Sequence, residues 1–396
     1  GNLSITASNG TTYRYGDGSG SHVHVHLKDA ATENMLLIDP ALKLGECYMQ
    51  GSLEMLEGSI YDFLKVTLTN MPGSVETKNN FARFALSMRN FGLLVGRGNN
   101  FMRARRNVQH HYDLSGALYD LFLDDDRQYS CAYFPTPETT LEEAQFAKKR
   151  HIASKLNFDR PGLSALDIGC GWGGMGLYLA SPFGAKVTGV TLSDEQLAIA
   201  NKRAAANGLA GQAEFLLKDY RHLDRKFDRI VSVGMFEHVG IRNHPAYFQA
   251  VNRLLKPRGL YLHHSISRRA KKTDKAFNKM PAEYRALVRY IFPGGELDHL
   301  GMSIANLERH GFEIHDVEGW REHYQRTTRL WWERLQANRA QAEAEIGPER
   351  TRMWLLYLAG CSLAFERGGA LVNQTLASKR RKGASGLPLT RADLYR

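Results

Sequence analysis

The most restrictive stretch of this 396-residue chain is Leu166-Asp167-Ile168-Gly169-Cys170-Gly171-Trp172-Gly173-Gly174. Ser164–Ile168 reads as a short strand, five glycines follow within residues 169–176, and a helical pattern opens over Gly174–Ala180. Glycines let the main chain turn tightly and let a nucleotide-like ligand approach it. The alternation then continues. Lys186–Thr191 reads as a strand and Asp194–Ala206 as a helix that stops at Asn207-Gly208. Ala213–Leu217, Phe227–Val233 and Gly259–Ser265 read as further strands separated by helical segments. Strands alternating with helices imply a parallel sheet covered on both faces. The expected fold class is therefore α/β, a doubly wound sheet with added helices, preceded by a small α+β domain.

Gly169, Gly171 and Gly174 satisfy GxGxxG, the dinucleotide-binding spacing. The acid that such sites place at the end of the next strand is absent, because Thr191-Leu192 stand there. Asp167, inside the first loop, is instead typical of S-adenosylmethionine enzymes.

Residues 1–75 read as the small separate domain, 76–104 as a linker rich in Asn and Gly, and 105–396 as the main domain with a basic, mobile tail from Ser378. In the first of these, Thr11–Tyr15 and His22–Leu27 read as strands and Leu53–Thr67 as a helix. His22, His24 and His26 share one strand face, which reads as an exposed face rather than a metal site. From Tyr324 to Phe365 the chain is mainly helical. The four cysteines, Cys47, Cys131, Cys170 and Cys361, form no CxxC pair, and sparse cysteines suit a reducing cytoplasm. No basic-then-apolar leader is visible. The apolar run Met353–Phe365 falls short of the roughly 20 residues of a membrane span. The net charge of +11 is uneven, since the first 100 residues carry 8 Lys/Arg against 9 Asp/Glu. A basic body attracts nucleic acid or anionic lipid head groups.

Further motifs flank the glycine loop in order. His111-Tyr112-Asp113-Leu114 and Tyr129-Ser130-Cys131-Ala132-Tyr133-Phe134 precede it; Gly189-Val190-Thr191-Leu192-Ser193 with Gln196, and Asp219-Tyr220-Arg221, follow. Gly234-Met235-Phe236-Glu237-His238-Val239-Gly240 and Tyr290-Ile291-Phe292-Pro293 come last. Together they resemble the cyclopropane-fatty-acyl-phospholipid synthases, a family of S-adenosylmethionine-dependent methyltransferases related to the mycolic acid cyclopropane synthases. The resemblance is close over about Arg105–Arg367 and weaker in the N-terminal domain. It implies a methyltransferase-type Rossmann-like sheet. Tyr129 and Ser130 would close over the cofactor, and Gly169, Cys170 and Gly171, beside Asp167, would face its methionine part. Thr191 and Gln196 would meet the ribose, and Asp219, Tyr220 and Arg221 the adenine.

The implied reaction transfers a methylene to a cis double bond of a phospholipid acyl chain. An alkene is a poor nucleophile, so the sulfonium methyl must be held close and in line. A proton must then leave the new methyl for the ring to close, which requires a base. The resemblance implies a bound bicarbonate, held by Glu237, His264 and Tyr324 with backbone groups of Cys131 and Ile266. Cys361 matches a family cysteine position, although an apolar helix predicts an inert thiol there. No metal is expected. Arg268, Arg269, Lys271 and Lys272 are candidates for head-group phosphates, and Lys275–Pro293, with Phe277, Met280, Tyr284 and Phe292, for a lipid-side lid. The expected enzyme is cytoplasmic, peripherally attached to membranes and homodimeric, its small domain aiding both contacts. Alternatives remain. A differently quenched cation gives a methyl-branched or methylene-bearing chain, and a non-catalytic lipid-binding protein could retain the fold. A nucleic-acid methyltransferase is disfavoured, because Met235-Phe236-Glu237-His238 replaces the Asn/Asp-Pro-Pro-aromatic run such enzymes use.

Overall fold

The structure, a computed structural model, describes residues 1–70, 116–278 and 295–395. The expected linker at 76–104, the His111–Leu114 and Tyr290–Pro293 motifs, and Met280, Tyr284 and Phe292 of the expected lid lie outside these residues. Contacts divide the chain into two compact units. One comprises Gly1–Gly98, Thr273–Pro293 and Thr328–Ala364; the other comprises Asn99–Lys272, Gly294–Thr327 and Phe365–Arg396.

The first unit contains a four-stranded sheet of β1 (Leu3–Thr6), β2 (Thr12–Tyr15), β3 (Val23–Leu27) and β4 (Leu53–Glu57), in the order β2-β1-β3-β4. The expected helix over Leu53–Thr67 is corrected here. Its first five residues pair with β3, and the helix spans only Ile60–Asn70. Gly58 breaks the run at φ +75°, where a Cβ would sit 3.2 Å from the His22 carbonyl oxygen. Ser59 and Asp62 then cap the helix reciprocally, Asp62 N–H donating to Ser59 Oγ at 3.2 Å and Ser59 N–H to Asp62 Oδ2 at 3.1 Å. Val23 and Val25 of β3 are buried. His22 and His24 face Ser4, Thr6 and Glu57, each at 2.7–2.8 Å. Among the described residues no group of His, Cys, Asp or Glu is arranged to hold a metal. Tyr61 joins this unit's late helices to its early ones: its hydroxyl meets Ser362 Oγ at 3.1 Å, and its ring packs 5.1 Å from that of Trp332.

The second unit is built on seven strands: β5 (Ser164–Ile168), β6 (Lys186–Thr191), β7 (Ala213–Leu217), β8 (Phe227–Val233), β9 (Leu255–Arg268), β10 (Phe312–Gly319) and β11 (Ala370–Lys379). Their order is β10-β11-β9-β8-β5-β6-β7. Strands β5 to β9 pair in parallel, whereas β11 runs antiparallel between β9 and β10. Apolar clusters cover both faces: Leu179, Val187 and Phe215 lie in one, Ile168, Tyr247 and Phe248 in the other. Strand β9 outruns its expected bounds because β11 pairs with it from Leu260 to Arg268. The tail beyond Ser378, expected to be mobile, is held at its far end. Arg391 pairs with Asp316, and the Leu394 carbonyl meets His151 Nδ1 at 3.2 Å. Strand order reverses at β5, whose neighbours are β6 and β8, and ligands of such sheets bind at the carboxyl ends beside that point.

Candidate active site

At this edge the glycine loop leaves β5, with Gly169 and Cys170 N–H both donating to the Val190 carbonyl at 2.9 and 3.0 Å. Gly169 has φ +78°, and a Cβ there would lie 2.8 Å from Met235 Cβ, so both conformation and space demand glycine. The cleft above the loop is lined by Tyr129, Ser130, Asp167, Gly169, Cys170, Gly171, Thr191, Gln196, Asp219, Tyr220 and Arg221. Every cofactor position expected from the sequence thus meets in one cavity.

Short sequence separations set much of its local geometry. Ser193 caps the helix Asp194–Ala206, which brings Gln196 back over the end of β6, and Thr191 Oγ1 donates to Gln196 Oε1 at 2.8 Å. Asp219 follows β7, caps the turn Tyr220–His222, and accepts Arg221 Nη2 at 2.7 Å and Nε at 3.0 Å. That bidentate pair holds the Arg221 guanidinium above its ordinary value. Burial pushes the Tyr220 phenol upward, and its ring meets Tyr247 edge-on at 5.4 Å. Asp167 is 3 % exposed, and burial raises it to about 7, although Lys148 and the Gly176 N–H pull it back. Its Oδ2 has no partner among the described residues. A buried, unpartnered carboxylate oxygen beside open glycine backbone suits a ligand that brings an amino group and hydroxyls.

Lys148 is a cleft residue that sequence reasoning missed. It lies 1 % exposed on the helix Leu141–Lys155 and donates to Ser130 Oγ at 2.8 Å and Gln128 Oε1 at 2.7 Å. Burial lowers its ammonium to about 8. The available signal was its place on the stripe 141, 144, 148, 152, 155, whose other members are buried and mostly apolar. His238, also in the cleft, is lowered to about 4 by burial.

The expected anion-holding residues Cys131, Glu237, His264, Ile266 and Tyr324 do not line that cleft, and Cys131, Glu237 and His264 are buried. Glu237 occupies the turn Phe236–His238 after β8, and its Oε1 accepts the Ile266 N–H at 2.5 Å. Of the Ile266 backbone groups, expected to hold the anion, the N–H is therefore engaged by Glu237. The second oxygen, Oε2, is buried without a partner among the described residues, and burial, with Asp298 nearby, raises the carboxyl to about 7. His264 shares a face of β9 with Ile266, two positions on. His263 points to the other face, closed in by Tyr261 OH at 2.9 Å and Ser265 Oγ at 3.1 Å. Trp320, also missed, links the rest. Its carbonyl lies 3.8 Å from Cys131 Sγ and accepts the Tyr324 N–H at 3.1 Å, and its ring meets His264 edge-on at 5.4 Å. The Tyr324 ring stacks on Phe365 at 4.6 Å. The Cys131 thiol is fully buried and pushed well up, which suits packing rather than nucleophilic chemistry. Cys361 belongs to the other unit, its thiol pushed up to about 12 by burial. Of the basic run, Arg268 Nε donates to the Leu297 carbonyl at 3.1 Å, whereas Arg269, Lys271 and Lys272 are exposed. Phe277 of the expected lid is buried.

Asp167, expected inside the first loop, instead lies in β5 just before it. A doubly wound sheet with a glycine loop, an acid at the end of the strand that enters it and a cleft at the switch point is the arrangement of an S-adenosylmethionine-dependent methyltransferase. The family described as mycolic acid cyclopropane synthetase matches residues 99–375, and residues 2–79 match a family described only as a domain of unknown function. The chain belongs to the mycolic acid cyclopropane synthetase family. It is 38% identical over 330 residues to the cyclopropane-fatty-acyl-phospholipid synthase of Escherichia coli, spanning 83% of this chain and 81% of that one. A probable fatty acid methyltransferase of Pseudomonas putida is 44% identical over 294 residues, 73% of each. The solved mycolic acid cyclopropane synthase CmaA1, complexed with SAH and CTAB, superposes with a TM-score of 0.65 at 36% identity, covering 69% of this chain and 98% of that one. Among the described residues no helix is long and apolar enough to cross a membrane.

Proposed function

We propose that this enzyme converts cis double bonds in phospholipid acyl chains to cyclopropane rings, releasing S-adenosylhomocysteine. Bound S-adenosylmethionine supplies the electrophilic methyl, and bound bicarbonate supplies a base for the proton lost on ring closure. The chain's own part is to hold and orient. The cleft residues Tyr129, Ser130, Asp167, Gly169, Cys170, Gly171, Thr191, Gln196, Asp219, Tyr220 and Arg221 bind the cofactor in this reading. Glu237, His264 and Tyr324, with backbone of Cys131, hold the anion, and the Ile266 N–H holds Glu237 in place. The observation that carries it is Glu237. A carboxyl raised to about 7 with Oε2 unpartnered is largely protonated below neutral pH and can donate a hydrogen bond to an anion. An ionised carboxylate would repel that anion.

The reading extends to a peripheral enzyme whose N-terminal unit aids membrane docking and homodimer formation. Docking is supported by two large aliphatic side chains in succession, Leu37 at 81 % and Ile38 at 66 % exposure, ending the helix Ala30–Ile38. A methyl-branched or methylene-bearing product is the second reading, with which the Pseudomonas putida relative, named a probable fatty acid methyltransferase, is compatible. Incubation with unsaturated phospholipid vesicles and S-adenosylmethionine, then gas chromatography with mass spectrometry of the fatty acids, separates the two. A ring product that Glu237→Gln abolishes supports the proposal. A branched product overturns the ring-closing assignment. Absence of product and of measurable S-adenosylmethionine binding leaves a non-catalytic lipid-binding protein.

A further inference from the structure

Glu318, Gln374 and His264 form a transverse row across three strands. Glu318 on β10 is the register partner of Gln374 on β11, and Gln374 is the partner of His264 on β9. Lys155, from the last turn of the helix Leu141–Lys155, reaches this row. Its Nζ lies 2.5 Å from Glu318 Oε2, 3.1 Å from Gln374 Oε1 and 3.3 Å from Asp316 Oδ2. Gln374 Nε2 lies 3.1 Å from His264 Nδ1. Lys155, Gln374 and His264 are each at most 1 % exposed, so water does not substitute for these contacts.

The donor inventory then settles the protons. An ammonium has three hydrogens and no acceptor, so the Gln374 atom facing Lys155 is its carbonyl oxygen. The amide nitrogen must therefore face His264, and it can only donate. His264 Nδ1 must accept, so its lone pair is free of a proton, and the neutral ring carries its hydrogen on Nε2. The imidazolium would turn an Nδ1–H against the amide hydrogens. It is opposed further by burial and by the charges of Lys148 and Lys155.

We propose that Gln374 and Lys155 are positioning residues that lock His264 as the Nε2–H tautomer, a fixed hydrogen-bond donor for the bound anion. This rests on the reading of His264 as an anion-holding residue. The lock excludes His264 from acting as the base through Nδ1, and it leaves proton removal to the anion. Lys155 is held in turn by Glu318, whose carboxyl stays well below its ordinary value through His151 and Lys155.

The test is a two-bond ¹H–¹⁵N correlation spectrum of the full chain with ¹⁵N-labelled histidine, the His264 signals being assigned by their loss in His264→Asn. The expected result is a pyridine-type Nδ1 and a pyrrole-type Nε2. In Gln374→Glu the amide donor becomes an acceptor, and the tautomer should invert to Nδ1–H. Cyclopropane formation should then fall tenfold or more, with the KM for S-adenosylmethionine within twofold of wild type and the bicarbonate requirement raised. A protonated Nδ1 in the wild type overturns the lock, and that measurement stands even if Gln374→Glu does not fold. An Nε2–H wild type in which His264→Asn keeps full activity separates the two layers. The tautomer would stand, the anion-holding reading would fall, and the positioning role would fall with it.

Discussion

Glu237 makes stability depend on pH in a way that can be sized. Its carboxyl ionises near 4.5 when exposed and near 7 in the folded chain, chiefly because burial penalises the charge. Between these values the folded state keeps a proton that the unfolded state has lost. Stability is therefore fullest below pH 4.5, declines as pH rises, and levels off above 7. At about 1.4 kcal/mol per pH unit, the raised value costs about 3 kcal/mol at pH 8. Glu237→Gln keeps the shape and an acceptor for the Ile266 N–H but cannot ionise. Asp298, raised to about 7 by burial, adds a slope of its own to both proteins and helps to raise Glu237. The melting temperature of Glu237→Gln minus that of wild type should thus rise between pH 4 and pH 8 by roughly 3–6 °C, taking about 1–2 °C per kcal/mol for a chain of this length. Differential scanning calorimetry at four or five pH values reads this directly. Parallel pH profiles for the two proteins would refute the argument, since a carboxyl ionised in the fold at pH 5 gives no such divergence.

Gly169→Ala, with φ +78° and a Cβ 2.8 Å from Met235, should weaken S-adenosylmethionine binding tenfold or more by calorimetric titration while the far-ultraviolet dichroism stays native. Asp219→Asn removes the charge that pairs bidentately with Arg221. It should raise the KM for S-adenosylmethionine several-fold and leave kcat within about threefold, as expected when binding rather than the transition state is affected. All four thiols are buried or pushed up, those of Cys131 and Cys361 by burial. At pH 8 iodoacetamide should label the folded chain slowly and the urea-unfolded chain at all four positions. Arg391→Ala breaks the pair with Asp316 and should make the chain's last residues the first site of limited trypsin cleavage, read by intact mass.

The strands that build the cleft were legible because their apolar runs are bounded by glycines and capping residues. Ala213–Leu217 and Phe227–Val233 stand where the pattern puts them. Strand β4 was not legible, since five residues of mixed polarity ahead of a true helix fit either period until β3 is there to pair with them. The cleft residues sit in short motifs at the ends of consecutive strands, so order along the chain nearly gives order in space. The residues behind His264 do not. Gln374 is 110 positions away and arrives only through the β9–β11 register. Lys148 sits beside Lys149 and reads as part of a solvated face until the fold buries it. Parity along β9 separates His263 from His264, yet only Tyr261, Ser265 and Trp320 show which face each one has.

The antiparallel strand that completes the sheet is also the last to be synthesised, and it enters between two older neighbours. Until β11 leaves the ribosome, β9 lacks its partner on that side and β10 has no strand to join. A nascent or prematurely terminated chain therefore displays an open edge of backbone donors and acceptors next to a nearly finished core, the kind of edge that recruits other strands. It also lacks Gln374 and hence the amide that sets His264. Synthesis of β11, sheet closure and the arming of His264 become one event, so translation products that stop before β11 should be presented to chaperones and proteases as catalytically silent and adhesive at the same time.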